Sequence, residues 1–571
     1  MANYRMNVEY LAIRREFCLN EWQRDGFQEK MSSAIKERIP TMCDQQQATK
    51  SASGAHTSGL RDECGGGTIN RRGFLGGIGA GTVTGLAMVS AVNAQESQAR
   101  RVSGPTGFPP GKPLRVLPVL VYHLESPREM TSWRSYGGLR EQNAVNAEAE
   151  RIAFELHEFV KKAEFPVEIQ PVVPISNEAQ AKTAAESYAD MILIHAAGGG
   201  ASFYAILAEA QAAKVIFIRH RTEPYYLYHE IVHWRFLRRN EDAMAEPNMD
   251  VEDIVVDDYG DVLWRMRAIY GLKNAKGTKM LAIGSLAAYS EPAQRLGPQH
   301  AKEVWGYEIE IIPREDFAKR IKEVRANEAL MRKIEGDTRD FLARPNLTLQ
   351  TKPEFVFNSF LAWHICRELL QEKNAFNFGF DHCMGRDVIE MLSTPPCLVL
   401  ALANDEGYTA YCHTDLSHTL PGVLLRWITS QPTFVCNTHF PHDGILTVAH
   451  CAAPMRMNGT DYEPVTIMTH YESDFGAASR VEYPQGQLVT VVIPNLHCTK
   501  WQGFRGKIAG CPSLPACRSQ IDIEFEGDLR AFTKEMEGFH AQVVYGDYLR
   551  EVGYALKRIK QIGWKNYSST A

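Results

Sequence analysis

Met191-Ile192-Leu193-Ile194-His195-Ala196-Ala197-Gly198-Gly199-Gly200-Ala201-Ser202 is the stretch that decides the fold class. Its apolar run has the length of a buried strand, a glycine turn ends it, and a helical segment from Ser202 to Ala213 follows. Outward from it the same grammar repeats. Leu114 to Val121 reads as a buried strand, Glu148 to Ala163 as a helix, Val167 to Val173 as a strand, Glu178 to Tyr188 as a helix, and Val215 to Arg219 as another strand. Strands alternating with helices call for a parallel sheet covered on both faces. The pattern restarts after a linker: a long helix over Val251 to Tyr270, strands at Lys279 to Ile283 and Trp305 to Ile312, helical stretches over Phe317 to Phe341, and a helix over Lys352 to Lys373. From about Pro395 short β-rich runs dominate, among them Leu398 to Ala403, Thr433 to Asn437, Ile445 to His450, Val465 to Tyr471, Gln487 to Ile493, Ile521 to Phe525 and Gln542 to Tyr545. One helix, Ser417 to Ile428, interrupts them and another, Tyr548 to Ile562, ends the chain. The expected fold is therefore α/β: two doubly wound parallel-sheet α/β domains (113–225 and 226–394), then a mixed β, barrel-like C-terminal domain (395–571).

The first hundred residues differ from the rest. Met1 to Asn70 shows no apolar period and reads as poorly ordered. Asn70-Arg71-Arg72-Gly73-Phe74-Leu75 then opens a charge-free run to Val92, closed by the small-residue exit Val92-Asn93-Ala94. That order of basic, mildly apolar and small-residue regions is the form of a secretory signal. The paired arginines resemble a twin-arginine signal. Residues 1–112 are thus expected to be a leader carrying the signal at about 70–94, with the mature protein exported to the periplasm. If that signal reading fails, the expectation is cytoplasmic. The run's many glycines make it a weak membrane span, and no stable span is expected.

Over all 571 residues, 62 Lys+Arg stand against 68 Asp+Glu. No bulk basic field is available, so nucleic-acid binding of that kind is not expected. Of twelve cysteines, Cys18, Cys43 and Cys64 fall in the leader. The odd number remaining leaves at least one thiol unpaired within the chain, although Cys511 and Cys517 are close enough in sequence to bridge.

Candidate chemistry appears in several places. His229-Glu230-Ile231-Val232-His233 has the spacing that puts two histidines one helical turn apart around zinc, with the glutamate to activate water and Glu252 as a further candidate ligand. A zinc hydrolase is accordingly one alternative, against the plain reading of an amphipathic linker helix. Gly198-Gly199-Gly200 is either a tight turn or a set of backbone N–H groups open to an anion or a hydroxyl-rich ligand. The C-terminal third is densest: Cys412-His413-Thr414-Asp415, Asn437-Thr438-His439, His450-Cys451 and His540 all fall at or near expected strand ends. Several such groups together point to a hydrated metal or sugar site.

This part resembles the L-fucose/L-arabinose isomerase family. The matching stretches are Pro396 to Ala401, Asn404-Asp405-Glu406-Gly407-Tyr408-Thr409-Ala410-Tyr411-Cys412-His413-Thr414-Asp415, Ala449 to Pro454, Cys517-Arg518-Ser519-Gln520 and Gly538 to Asp547. The preceding α/β units fit the three-domain plan of that family. The resemblance implies aldose–ketose isomerisation through an enediol, with a divalent metal, Mn2+ in the family, holding the sugar oxygens. It places the metal ligands at His413, Asn437 and His540. At the first two of these the family carries carboxylates, so this chain departs from the pattern, and Zn2+ becomes a second candidate metal. Since Asn437 cannot act as a base, Asp415 or His439 is expected to take the catalytic role. Arg518 and His450 are the expected substrate-binding residues. A small sugar or polyol is the expected partner, with homo-oligomers as in the family. A non-catalytic or repurposed carbohydrate-binding relative is the other alternative.

Overall fold

The structure, a computed structural model, describes residues 111–134, 137–227, 237, 249–382 and 385–568, all within the compact unit Thr82–Ala571. The expected signal at 70–94, the leader up to residue 110, and His229, Glu230 and His233 lie outside the described residues.

The first region runs β1 (Leu114–Val121), α1 (Gln142–Val160), β2 (Val167–Ile169), β3 (Val173–Ile175), α2 (Glu178–Ala185), β4 (Met191–Ala196), α3 (Ala201–Ala208), β5 (Ala213–Ile218) and β6 (Ile254–Val256). Its strands are all parallel, in the order β2-β1-β4-β5-β6, with β3 also on β1. Every residue of β4 and β5 is buried, as a parallel strand enclosed on both faces requires. At the carboxyl edge Arg219 is held between Glu148 (2.8 Å) and Glu155 (2.6 Å) of α1.

The second region follows with α4 (Tyr259–Ala275), β7 (Lys279–Ile283), α5 (Glu291–Glu303), β8 (Glu308–Ile312), α6 (Arg314–Ala326), α7 (Glu328–Leu342), β9 (Leu347–Leu349), α8 (Pro353–Glu372), β10 (Asn377–Phe380), α9 (Arg386–Leu392), α10 (Cys397–Asp405), β11 (Thr409–Cys412) and α11 (Leu416–Thr429). Its sheet, β11-β10-β7-β8, is again all parallel. Two expectations fail here. Val251 to Tyr270 is not one helix: Asp257 takes a left-handed φ of 59° and Asp258 caps α4 by accepting the Gly260 N–H, so a 3-10 turn and β6 precede a helix that starts at Tyr259. Leu398 to Ala403 is not a strand but lies inside α10, buried all round. A short, uniformly apolar run carries no period to separate the two forms. β11 also extends this sheet beyond residue 394, where the sequence pattern changes.

The C-terminal part comprises β12 (Phe434–Thr438), β13 (Ile445–His450), β14 (Val465–His470), β15 (Phe475–Val481), β16 (Leu488–Pro494), β17 (Lys500–Gly510), β18 (Ser519–Glu526), α12 (Leu529–Glu535), β19 (His540–Tyr545), α13 (Leu549–Leu556) and β20 (Gly563–Asn566). Six strands close an antiparallel barrel in the order β16-β19-β12-β13-β18-β17, with β17 returning to β16. Closure satisfies edges that would otherwise template other chains. β20 adds to β17 in parallel, and β15-β14-β9 form a small separate sheet. The Trp305 and Trp501 rings, both buried, stack at 5.6 Å between the second region and the barrel.

Helix α11 is buried along its whole length. Gly422 lies against the ring and hydroxyl of Tyr411, itself hydrogen-bonded to Thr433, and a Cβ at Gly422 would overlap that ring. Alanine is the better helix former by about 1 kcal/mol. Gly422→Ala is nonetheless expected to destabilise the protein by roughly 1–3 kcal/mol through overpacking, read as a lower urea midpoint. A midpoint at or above that of the parent would show that the contact yields freely.

Candidate functional site

The carboxyl ends of β7, β10 and β11 open toward the start of barrel strand β19. In open parallel sheets ligands bind at such carboxyl ends. The loop after β11 carries the decisive residues. His413 sits at a φ of 61°, a left-handed conformation uncommon outside glycine, and turns the chain into α11. Asp415 is the N-cap of that helix. Its Oδ1 accepts the Ser417 N–H (2.8 Å) and hydroxyl (2.7 Å), leaving Oδ2 on the side of Tyr289 N–H (3.4 Å) and His418 Nδ1 (3.8 Å).

His418, three residues on, falls on the same face of the helix as Asp415. Its Nε2 lies 3.1 Å from the Cys412 carbonyl, which can only accept, so Nε2 carries the proton and Nδ1 the lone pair. From the barrel, His540 opens β19 and its ring lies 4.6 Å from that of His418. Among the described residues, Asp415, His418 and His540 are the one set of three or more such side chains whose ligand atoms all fall within 4.8 Å of one another, and all three are buried.

The sequence-expected residues divide around this set. His540 is in it. Asp415 is in it as a donor, whereas the sequence assigned it catalysis. Asn437 is the register partner of His540 across β12 and β19, so it is adjacent. His413 is a near neighbour whose charge bears on His540, and the Tyr289 ring meets both imidazoles edge-on, at 6.4 Å and 6.0 Å. His450 lies close enough for His418 and His413 to act on it, and its Nδ1 accepts the Ala452 N–H at 3.1 Å. His439 follows the end of β12, its backbone N–H bonded to Thr447. Arg518 is turned to β14, with Nε on the Thr469 carbonyl (2.7 Å) and Nη2 on the Thr469 hydroxyl (2.9 Å). Gly198 to Gly200 form the turn from β4 into α3, with Gly199 at a φ of 89° and the Tyr204 hydroxyl on the Gly198 carbonyl (2.6 Å).

His418 escaped the sequence reading, although Asp415 and His418 at i, i+3 on the start of a recognised helix would have been the signal. Asp381, at the end of β10, was also missed. Burial would raise its pKa, but the Ser285 hydroxyl (2.8 Å) and the Arg314 guanidinium (2.6 Å) hold it below the usual carboxylate value. Gly284, at a φ of 99°, leaves room for that carboxyl where a Cβ would collide with it. The Asp381 carbonyl in turn lies 3.1 Å from His413 Nδ1.

The donors fit a divalent cation. His418 Nδ1, His540 Nδ1 and Asn437 Oδ1 are buried without a hydrogen-bond partner, a costly state for polar atoms that a coordinated ion or its water relieves. The proton on His418 Nε2 is shared with a backbone carbonyl, as metal-bound histidines arrange it. Burial, then the charges of neighbouring histidines, push His540 well below the ordinary histidine pKa, and burial lowers His418 too. Both are therefore neutral, the ligating form.

Burial lowers His450 to a pKa of about 4, with the neighbouring histidines adding to the shift. Below pH ~6.5 an unfolded histidine takes a proton that the folded one refuses until about 4. Stability is therefore fully present above that window and lost as pH falls through it, by about 3 kcal/mol for His450 alone. Chelator-treated protein should show a falling urea midpoint from pH 7 to pH 4, and His450→Gln should flatten that slope. Equal slopes in parent and variant would contradict the assignment. The chain matches no protein-family model and no curated protein sequence.

Proposed function

We propose that the chain is a metal-dependent sugar isomerase-like protein that binds a small sugar or polyol where the second parallel sheet meets the barrel. The observation that carries this reading is the convergence of Asp415, His418 and His540, with His418 Nδ1 and His540 Nδ1 buried and unpartnered. Two imidazoles and one carboxylate suit Zn2+ or Mn2+. When bound, such an ion supplies a Lewis acid for a sugar carbonyl and its neighbouring oxygen.

The chain's own groups would do the rest. With Asp415 engaged as cap and ligand, His413 becomes the proton carrier. Its Nδ1–H faces the Asp381 carbonyl, so Nε2 bears the lone pair that takes a proton from one sugar carbon and returns it to the next. Tyr289 and Phe539, whose rings meet edge-on at 5.1 Å, would offer a bound sugar an aromatic surface of the kind that sugars stack on. The neutral amide of Asn437 would hydrogen-bond a hydroxyl. That neutrality also favours the second reading, a carbohydrate-binding relative without turnover. Doubly wound packing of both sheets, export through the paired arginines, and a homo-oligomer belong to the same proposal. Among the described residues no helix is long and apolar enough to cross a membrane.

The test uses the full chain, stripped with chelator and titrated with Mn2+ or Zn2+. Binding should be lost in His418→Ala and in His540→Ala and kept in His233→Ala. Metal retained in the first two and lost in the third would move the site to the zinc-hydrolase motif. A panel of aldoses in deuterated water should then give ketose with deuterium at C1. His413→Gln should keep the metal and lose at least about a hundredfold in rate. Saturable sugar binding with no exchange from any aldose would establish the binding relative instead.

A further inference from the structure

Behind the candidate site the end of β13 and the start of β18 bring sulfur atoms together. His450 pairs with Ser519 in the ladder, and just past that pair Cys451 and Cys517 lie on the two neighbouring segments that follow β13 and precede β18, within hydrogen-bond reach of each other. The backbone N–H of Arg518 donates to Cys451 Sγ at 3.3 Å. Cys451 is buried and Cys517 half-buried, and neither of them, nor buried Cys397 in the first turn of α10, is in a disulfide. Hydrogen bonds from Cys397 and Cys517 hold the Cys451 thiol well below its ordinary pKa, against the effect of burial, and His470 adds to them. The Ser473 N–H donates to His470 Nδ1 (3.3 Å), which holds that ring in place. Arg518, anchored through both of its Thr469 contacts, fixes the strand that carries Cys517.

Such a group has two uses, a soft metal or a redox bond. The metal use needs three donors in mutual reach, and among the described residues that condition is met only by the Asp415 set. A bond between two sulfurs needs only one close pair.

We propose that Cys451 and Cys517 are an oxidisable thiol pair, a modification site closed to a disulfide by a small-molecule disulfide such as oxidised glutathione. Cys517, the more exposed of the two, attacks one sulfur of the oxidant, its proton passing to the Cys451 sulfur to which it is hydrogen-bonded. A mixed disulfide forms, the oxidant's own S–S bond breaks, and one glutathione thiolate leaves. Cys451 sulfur then attacks Cys517 sulfur, forms the internal bond and expels the second glutathione. The protein gives up two electrons and two thiol protons, and the oxidant becomes two thiols. Cys397 is not consumed. This site is independent of the metal reading above.

The experiment treats the folded full chain with oxidised glutathione, blocks remaining thiols with N-ethylmaleimide, and maps peptides without reduction. The expected result is a Cys451–Cys517 linked peptide and two fewer blockable thiols than in the reduced protein. The link should persist in Cys397→Ser and vanish in Cys517→Ser. Recovery of both cysteines blocked, a Cys451–Cys397 link in place of the expected one, or protection of the thiols by bound Zn2+ would each overturn the proposal. Because the peptide map of the parent protein reads the bond directly, the test stands even if a variant fails to fold.

Discussion

A fully buried carboxylate, Asp415, sets the conditions for the centre of this molecule. One oxygen is committed to starting α11, through the Ser417 N–H and hydroxyl. The other faces imidazoles that burial keeps neutral. Buried ring nitrogens left without a partner, as His418 Nδ1 and His540 Nδ1 are, are expensive. A cation held between Asp415, His418 and His540, as proposed, would satisfy the orphaned ring nitrogens in one step. The same residue caps the helix and belongs to the candidate site.

The surrounding architecture follows from holding that arrangement. β11 delivers the chain to the carboxyl edge of the second sheet, and the left-handed turn at His413 aims it into α11. Gln542 of the barrel donates to the His418 carbonyl at 2.7 Å, tying the helix to β19 two residues from His540. Because the barrel is closed, the register that pairs Asn437 with His540 cannot slip without breaking the ladders on either side. Two unlike pieces of structure, an open parallel sheet and a closed antiparallel barrel, thus meet at fixed positions.

Much of the fold was legible because its strongest signals are local. The runs Leu114 to Val121, Met191 to His195, Lys279 to Ile283 and Ile445 to His450 are strands, and Lys352 to Lys373 and Ser417 to Ile428 are helical, each within a residue or two of the expected limits. Failures came where local signals conflict or are missing. In Leu398 to Ala403 every position is apolar, so strand and helix look alike until the neighbours decide. In Val251 to Tyr270 two aspartates break what reads as a continuous period. Asn377–Phe380 and Thr409–Cys412 are short strands whose partners are distant in sequence, and only pairing makes them strands.

The sequence by itself determined the alternation of strands and helices, the change to β-rich structure in the last third, and the concentration of histidines there. Hydrophobic period and residue chemistry are properties of neighbouring positions, so they are written in the chain. Which of those groups meet is a different matter. Asp415 and His418 are one helical turn apart, but His540 arrives from more than a hundred residues away, carried by a barrel strand whose place depends on five others. Arg518 looked equally eligible, and its guanidinium is held on Thr469. Only the tertiary structure could decide this, because membership of a site depends on through-space distance and on burial, and neither is a local property of the chain.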